Sequence, residues 1–142
     1  MNRWSEHITF INVSDLERSH RFYTEWIGLV PVHDQGDCRI YRIGRDAYLG
    51  LCHRPSDVRA PGSFLITLIT PHVEREVAQL EAAGVPIELP VQDHPKYAIT
   101  QAFVLDPDGY RIEIQRFHDP NWNQSPREAT DKPVRRSVKR PS

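Results

Sequence analysis

One acid, Glu113, stands inside an alternating run of apolar and polar residues near the end of the chain, FVLDPDGYRIEIQRF. A carboxylate in such a run can bind a divalent metal ion. It can equally belong to the polar face of a half-exposed strand, since Glu113 alternates with Ile112 and Ile114. The preceding DPDG, residues 106–109, has the signature of a type I turn that joins two strands. The residue types alone leave both interpretations of Glu113 open.

A second candidate, His7, opens the alternating segment HITFINV, which predicts a first strand from His7 to Val13. Imidazole is a common ligand of Fe, Ni, Zn and Mn. A lone histidine at the start of a strand is, however, more commonly partly buried and hydrogen-bonded to the backbone. Without a metal, a protonated His7 and Glu113 could still form a charge-assisted pair that supplies an acid-base group or anchors a substrate.

The elements that must position these residues begin with a helix after the first strand. The segment SDLERSHRFYTEWIGL has its apolar positions on one helical face, Ser14 and Glu17 have the spacing of a capping box, and Gly28 supplies the stop. Three segments typical of strands follow, namely LVPVHD, CRIYRI and AYLGLCH. The first half therefore predicts the order strand, helix, strand, strand, strand.

The second half repeats this order. After a predicted linker at 55–62, SFLITLIT predicts a strand, PHVEREVAQLEAAG a helix, and VPIELPV, KYAITQAFVL and GYRIEIQRF three further strands. GLVPV and GVPIE occupy equivalent places fifty-six residues apart, as a duplicated module predicts. We therefore expect one domain over residues 1–123, with module one at 5–54 and module two at 62–118.

The charge distribution argues against nucleic acid as a partner. The last nineteen residues, 124–142, hold six Lys/Arg against two Asp/Glu and three prolines, which leaves the first 123 residues with a balance of -5. Such a basic, proline-containing tail lacks the apolar surface that would offset its ordering entropy, so it is predicted to be mobile. The acidic body offers no surface that matches nucleic acid.

The two cysteines and the absence of long apolar runs bear on the compartment. Cys38 and Cys52 lack the C-x-x-C spacing of a metal site and are too few for a disulfide framework, so we expect them to be reduced core residues. No run of eighteen or more apolar residues exists, and the N-terminus does not have the pattern of a secretory signal. The expected location is cytoplasmic, without membrane contact.

The repeated order, the helix segment SDLERSHRFYTEWIGL and the closing LDPDGYRIEI resemble the vicinal oxygen chelate superfamily. This superfamily includes glyoxalase I, extradiol dioxygenases, fosfomycin-resistance enzymes and bleomycin-resistance proteins. The resemblance covers about residues 5 to 118 and implies an α+β fold in which two βαβββ modules form curled mixed sheets around a cleft. It also implies a small-molecule substrate or ligand and a homodimer.

The resemblance also implies where metal ligands would stand. Relatives that use a metal take ligands from the first strand of each module, from the last strand and, in some branches, from the fourth strand of module one. His7 and Glu113 occupy two of these places, whereas Gly50 and Leu65 occupy the others and do not coordinate. Gln101 is the best substitute donor by residue type. The implied cofactor is a divalent Fe, Mn, Ni or Zn ion with an incomplete ligand set.

The residues expected to contact a substrate come from several strands. Alternation places Tyr48 on the face of Gly50 and Arg111 on the face of Glu113, and the resemblance directs Gln101 and Phe103 into the cleft. Tyr97 lies with His94 and Lys96 in a segment that borders the substrate mouth in this family. Phe117 and Trp122 are expected to cover a sheet edge or a neighbouring subunit.

Two functions remain open on the sequence. The first is a glyoxalase- or extradiol-dioxygenase-like enzyme centred on His7 and Glu113, in which the metal acts as a Lewis acid on adjacent oxygens of the substrate. The alternative is a metal-free drug-binding protein of the bleomycin-resistance type, with Phe103, Tyr48 and Tyr97 as aromatic walls.

Overall fold

A computed structural model describes residues 3–58 and 64–123. The predicted basic tail, 124–142, and the later part of the predicted linker lie outside the described residues. Within the described part of the chain, no helix is long and apolar enough to cross a membrane.

The order of elements agrees with the duplicated pattern in the sequence. Module one consists of β1 (His7–Val13), α1 (Leu16–Arg21), a π-helical turn (Phe22–Trp26), β2 (Val30–Asp34), β3 (Cys38–Arg42) and β4 (Ala47–His53). A 3₁₀ turn, Pro55–Asp57, follows. Module two consists of β5 (Ile66–Ile69), α2 (Val73–Ala82), β6 (Ile87–His94), β7 (Ile99–Leu105) and β8 (Arg111–Phe117).

Each module forms one open, mixed, four-stranded sheet. Sheet one has the order β1-β4-β3-β2 and sheet two the order β5-β8-β7-β6. The first strand of each module runs parallel to the last, and the other neighbours are antiparallel. The two sheets therefore have equivalent topologies, which confirms the α+β fold of two βαβββ modules.

The sequence of α2 explains both its helical state and the face it buries. VEREVAQLEA is rich in strong helix formers, and Val73, Val77 and Leu80 recur at helical spacing. These three side chains are buried in a core that also contains Ile112 and Ile114 of β8. Buried residues of module one belong to the same core, so the helix sides of both sheets share one hydrophobic cluster.

The start of α1 differs from the prediction. Asp15, not Ser14, is the N-cap, and its side chain accepts a hydrogen bond from the backbone N–H of Arg18. Ser14 contacts module two instead, because its backbone N–H and its hydroxyl both donate to the carboxylate of Asp108. The predicted capping box is therefore wrong, and the serine contributes to the packing of the two modules.

The DPDG turn has a second structural role at the module junction. The hydroxyl of Tyr23 donates to Asp106 at 2.7 Å, and Asp106 also accepts from the backbone N–H groups of Asp108 and Tyr110. The hydroxyl of Tyr110 donates to the carbonyl of Asn12 at 2.6 Å. Burial raises the pKa of both Tyr23 and Asp106. Buried hydrogen bonds thus link the turn to β1 and to the helical segment of module one.

The expectation that both cysteines are reduced is wrong. Cys38 and Cys52 are directly opposite each other in the β3–β4 register and form a disulfide. The two cysteines are 14 residues apart in sequence, and this spacing does not by itself indicate a disulfide. The hairpin of β3 and β4 brings them together. Disulfides are rare in reducing compartments, so reduced cysteines no longer support the expected cytoplasmic location.

Candidate functional site

Sheet two presents one face to α2, and no helix of residues 3–58 and 64–123 covers its other face. Ile112 and Ile114 of β8 lie in the core with α2. Because side chains alternate along a strand, Glu113 and Gln115 project from the opposite face, which we call the open face of sheet two. Despite the absence of a covering helix, Glu113 is only 6% exposed and Gln115 only 7%.

Strand register determines the neighbours of Glu113 on this open face. Glu113 lies between Thr67 of β5 and Phe103 of β7. Gln115 lies between Ile69 and Gln101 in the same way. These residues form what we call the Glu113 patch: Thr67, Ile69, Gln101, Phe103, Glu113 and Gln115.

The carboxylate of Glu113 is held by neutral hydrogen-bond donors. The hydroxyl of Thr67 donates to its Oε1 at 2.8 Å. With the Gln115 amide nitrogen oriented toward the carboxylate, that amide donates to both oxygens, at 3.1 and 2.8 Å. Among the described residues, no lysine, arginine or histidine forms an ion pair with Glu113.

Arg111, the predicted substrate contact two residues before Glu113, is engaged elsewhere. Its guanidinium donates to both carboxylate oxygens of Glu88, at 2.6 and 3.1 Å. This hydrogen-bonded partner raises the pKa of Arg111. The guanidinium carbon also lies 5.9 Å from the ring centroid of Phe103. Arg111 therefore borders the Glu113 patch without neutralising its acid.

The open face of sheet one is apolar where the family places a further acid. Leu49 and Leu51 of β4 are buried in the core, so Tyr48 and Gly50 project from the face opposite α1. Phe10, paired with Gly50 in the register, covers this glycine with its ring. A Cβ at Gly50 would lie 2.2 Å from the Cδ1 atom of Phe10. The missing acid is thus replaced by an aromatic ring.

His7 lies on the other side of β1. Ile11 and Val13 are buried in the core, and alternation gives His7 and Thr9 the same side of the strand. The Nε2 atom of His7 is hydrogen-bonded to the hydroxyl of Thr9 at 2.7 Å. Ile8 therefore takes the open-face position at the start of β1. His7 and Glu113 lie in different sheets and have different hydrogen-bond partners, and no hydrogen bond or ion pair joins them among the described residues.

The two predicted aromatic contacts, Tyr48 and Tyr97, lie apart from the Glu113 patch. Tyr48, on sheet one, donates its hydroxyl to Glu6 at 2.8 Å, and this hydrogen bond raises the pKa of Tyr48. Tyr97 precedes β7, is 61% exposed and stacks on His94 with ring centroids 4.6 Å apart. Phe103 is the predicted aromatic side chain that directly adjoins Glu113.

Two aromatic side chains at the end of β8 and just after it stack on each other. Phe117 and Trp122 are stacked with ring centroids 4.2 Å apart, although Trp122 is still 46% exposed. The expected homodimer stays a prediction.

The described residues do not fit the divalent metal that the resemblance implies. Gly50 and Leu65 have no donor atoms, and Phe10 fills the space above Gly50. Beside Glu113, the register places Thr67 and Phe103 rather than a second imidazole or carboxylate. Within residues 3–58 and 64–123, no three His, Cys, Asp or Glu residues are grouped so that they could hold a metal ion.

A formed cavity of about 260 Å³ lies elsewhere, at the junction of the modules. Trp26 lines one side of it, and Leu68, Glu76 and Leu80 line another. It includes Ile69 from the Glu113 patch but none of the residues predicted to form the site. This cavity could not be predicted from the sequence because residues of both modules line it, and the sequence does not indicate how the modules pack. The predicted residues on the open sheet faces are Tyr48, Gln101, Phe103, Arg111 and Glu113, whereas His7 lies on the other side of β1 and Tyr97 precedes β7.

Two βαβββ modules, each with a helix-free sheet face, define the vicinal oxygen chelate class of protein. Residues 4–114 match the model of the Glyoxalase/Bleomycin resistance protein/Dioxygenase superfamily. The chain therefore belongs to this superfamily. No curated protein matches it in sequence.

Solved structures with the same fold include proteins of different descriptions. TnmS3, an antibiotic binding protein from Streptomyces sp. CB03234, is 28% identical with a TM-score of 0.67, and the match covers 82% of this chain and 98% of that one. A glyoxalase-related enzyme from Fulvimarina pelagi is 24% identical with a TM-score of 0.65, over 81% of this chain and 88% of that one. An integron cassette protein from Halifax Harbour sewage is 21% identical with a TM-score of 0.67, over 79% and 97%. The last two show the shared fold alone.

Proposed function

We propose that this protein binds a small organic molecule on its open sheet faces, as a binding protein that needs no catalytic metal. The observation that carries the proposal is the ring of Phe10 over Gly50, which puts an aromatic surface where metal-dependent relatives place an acid. The 28% identity with TnmS3, described as an antibiotic binding protein, supports the same function.

The exposed side chains of these faces suit an apolar ligand. Ile8 is 41% exposed and Phe10 is 49% exposed on sheet one, while Leu65 and Ile69 are each 45% exposed beside sheet two. Exposed large apolar side chains on a sheet face are available for contact with an apolar ligand. The polar groups around Glu113 would orient a ligand, as a few polar groups do in most small-molecule sites.

A second candidate is a metal-dependent enzyme of the glyoxalase or dioxygenase type. The observation that favours it is Glu113, a carboxylate on the open face at the position where the family has a ligand. This candidate needs further donors beside Glu113, and the described neighbours Thr67 and Phe103 do not supply an imidazole or a second acid. The binding function accounts for more of the observed residues.

The proposal is tested by calorimetric titration with 1-naphthalenemethanol, a neutral bicyclic aromatic alcohol. We expect the wild-type protein to bind it. Phe10→Ala should weaken binding by about tenfold to a hundredfold, since full burial of a side chain of this size by the ligand contributes about 1.5–3 kcal/mol. The matched control is Trp26→Ala, which removes an exposed aromatic beside the junction cavity and should leave the affinity unchanged.

Two outcomes would overturn the proposal. One is that the wild-type protein does not bind the alcohol. The other is that Trp26→Ala removes binding whereas Phe10→Ala does not, which would place the ligand in the junction cavity. Circular dichroism of each variant shows that the loss of binding is not a loss of fold.

A further inference from the structure

The Glu113 carboxylate is buried together with neutral partners, and this combination indicates what kind of ligand it meets. We propose that Glu113 makes the site selective for ligands with a positively charged nitrogen attached to an apolar or aromatic body. This inference rests on the proposed function and names the ligand class for the sheet-two part of the proposed site, where Glu113 lies.

The first argument is the unbalanced charge of Glu113. Glu113 as a whole residue is only 6% exposed, and a buried charge is costly unless an opposite charge pairs with it. Its hydrogen bonds from Thr67 and Gln115 provide dipoles but no positive charge. A carboxylate has about four acceptor positions, so capacity remains for a further donor. An ammonium group would supply both the donor and the charge.

Second, the arginines of β8, within the part of the chain that the structure describes, have other partners. Arg111, on the same face of β8, is held by both oxygens of Glu88. Arg116 forms a similar two-point contact with Glu74, at 2.9 and 3.1 Å. His7 is hydrogen-bonded to Thr9 in the other sheet. None of these three residues neutralises Glu113, so a positively charged ligand would supply the complementary charge.

The third argument is the apolar surroundings of the acid. The ring of Phe103 lies opposite Glu113 in the register, and the half-exposed Ile69 lies beside Gln115. A ligand nitrogen on the carboxylate would therefore leave its carbon skeleton against these side chains. Since the Gln115 amide nitrogen is used by Glu113, the amide oxygen remains an acceptor for another N–H of the ligand.

The experiment compares three probes of the same shape and different charge. These are 1-naphthylmethylamine, which is a cation at pH 7, the neutral 1-naphthalenemethanol, and the anion of 1-naphthoic acid. We expect the wild-type protein to bind the amine about tenfold more tightly than the alcohol and to bind the anion most weakly, as a charge-assisted hydrogen bond predicts. Calorimetric titration measures all three.

The deciding variant is Glu113→Gln, which keeps the shape of the side chain and removes its charge. It should bind the amine and the alcohol with equal affinity, within about twofold. The matched control, Glu74→Gln, changes the net charge by the same amount at the carboxylate paired with Arg116 and should keep the preference for the amine. Thr67→Val removes one hydrogen bond but not the charge, so this variant should also prefer the amine.

The results separate this inference from the proposed function. If the wild-type protein binds the alcohol and the amine equally, or Glu113→Gln keeps the preference, the inference is wrong and the proposed function stands. If the wild-type protein does not bind the alcohol, the proposed function fails, and the inference that rests on it fails as well. Stoichiometric binding of Zn²⁺ alone that is lost in Glu113→Gln would assign the carboxylate to a metal and overturn the inference. If Glu113→Gln does not fold, Glu113→Asp is measured instead. This variant keeps the negative charge, so it should still bind the amine more tightly than the alcohol, and a loss of that preference would contradict the inference.

Discussion

Phe10 shows how a single side chain determines the chemistry that a sheet face supports. Its ring occupies the space that a side chain at Gly50 would need, so an acid cannot enter this position without rearrangement. Glycine here allows the close approach of an aromatic ring, which is a packing role. Glu113 is retained on the other sheet, but its partners Thr67 and Gln115 fit a hydrogen-bonded anion better than a metal centre.

This packing predicts that Gly50→Ala destabilises the protein by about 1–3 kcal/mol, because the added Cβ would contact the Phe10 ring. Urea unfolding of the variant measures the change in the free energy of unfolding. In a Phe10→Ala background, the same substitution should cost much less, since the opposing ring is gone. Equal costs in the two backgrounds would show that Phe10 does not occupy the space above Gly50.

His7 illustrates what the sequence could and could not predict about the site. The first strand was predicted with its observed bounds, His7–Val13, because its alternation is regular. Alternation alone does not say which of its two faces meets the helices. Counting back from the buried Ile11 and Val13 would have placed Ile8 on the open face. Alternation also predicts one face for Arg111 and Glu113, and this face is the open face of sheet two because Ile112 and Ile114 are buried in the core.

At the scale of elements, the eight strands and two α-helices of the described residues could be predicted from the sequence. The register in which neighbouring strands pair could not. The turn between β3 and β4 sets the antiparallel register of the two strands, and in this register Cys38 lies directly opposite Cys52. Neither composition nor cysteine spacing contains that information. The same limit applies to the cap of α1, where Ser14 was free to contact Asp108 because Asp15 serves as the N-cap.

The disulfide across this hairpin predicts a redox-dependent stability. Reduction by dithiothreitol should lower the free energy of unfolding by about 3 kcal/mol, the value expected for a closed loop of this length. Urea unfolding of oxidised and reduced protein measures the difference, and the Cys38→Ala/Cys52→Ala variant, which cannot form the bond, is the control. Mass spectrometry of the native protein that shows two alkylated thiols would contradict the disulfide.

At the scale of the whole molecule, the repeat predicts two similar modules but not how they pack. Their contact depends on specific groups, since the hydroxyl of Tyr23 reaches Asp106 across a separation of 83 residues. The apolar side chains of both modules then complete one core. Such contacts arise from tertiary geometry, which neither periodicity nor composition encodes directly.

Loss of the hydrogen bond between Tyr23 and Asp106 should lower the stability of the protein. Tyr23→Phe leaves the buried carboxylate of Asp106 without its side-chain donor, so we expect a loss of about 1–3 kcal/mol in the free energy of unfolding. The control is Tyr97→Phe, whose ring is exposed on the surface. Chemical denaturation of both variants makes the comparison. Equal stabilities of the two variants would remove the proposed contribution of Tyr23 to module packing.

The central claim is that the open faces bind an organic ligand without a metal, and one titration tests it most directly. Protein stripped with a chelator is titrated with 1-naphthalenemethanol and compared with the same protein reloaded in turn with Fe²⁺, Mn²⁺, Ni²⁺ or Zn²⁺. We expect the stripped protein to bind the alcohol, and we expect its affinity to change by no more than about twofold when a metal is added back. Binding that occurs only after a metal is restored would contradict the central claim.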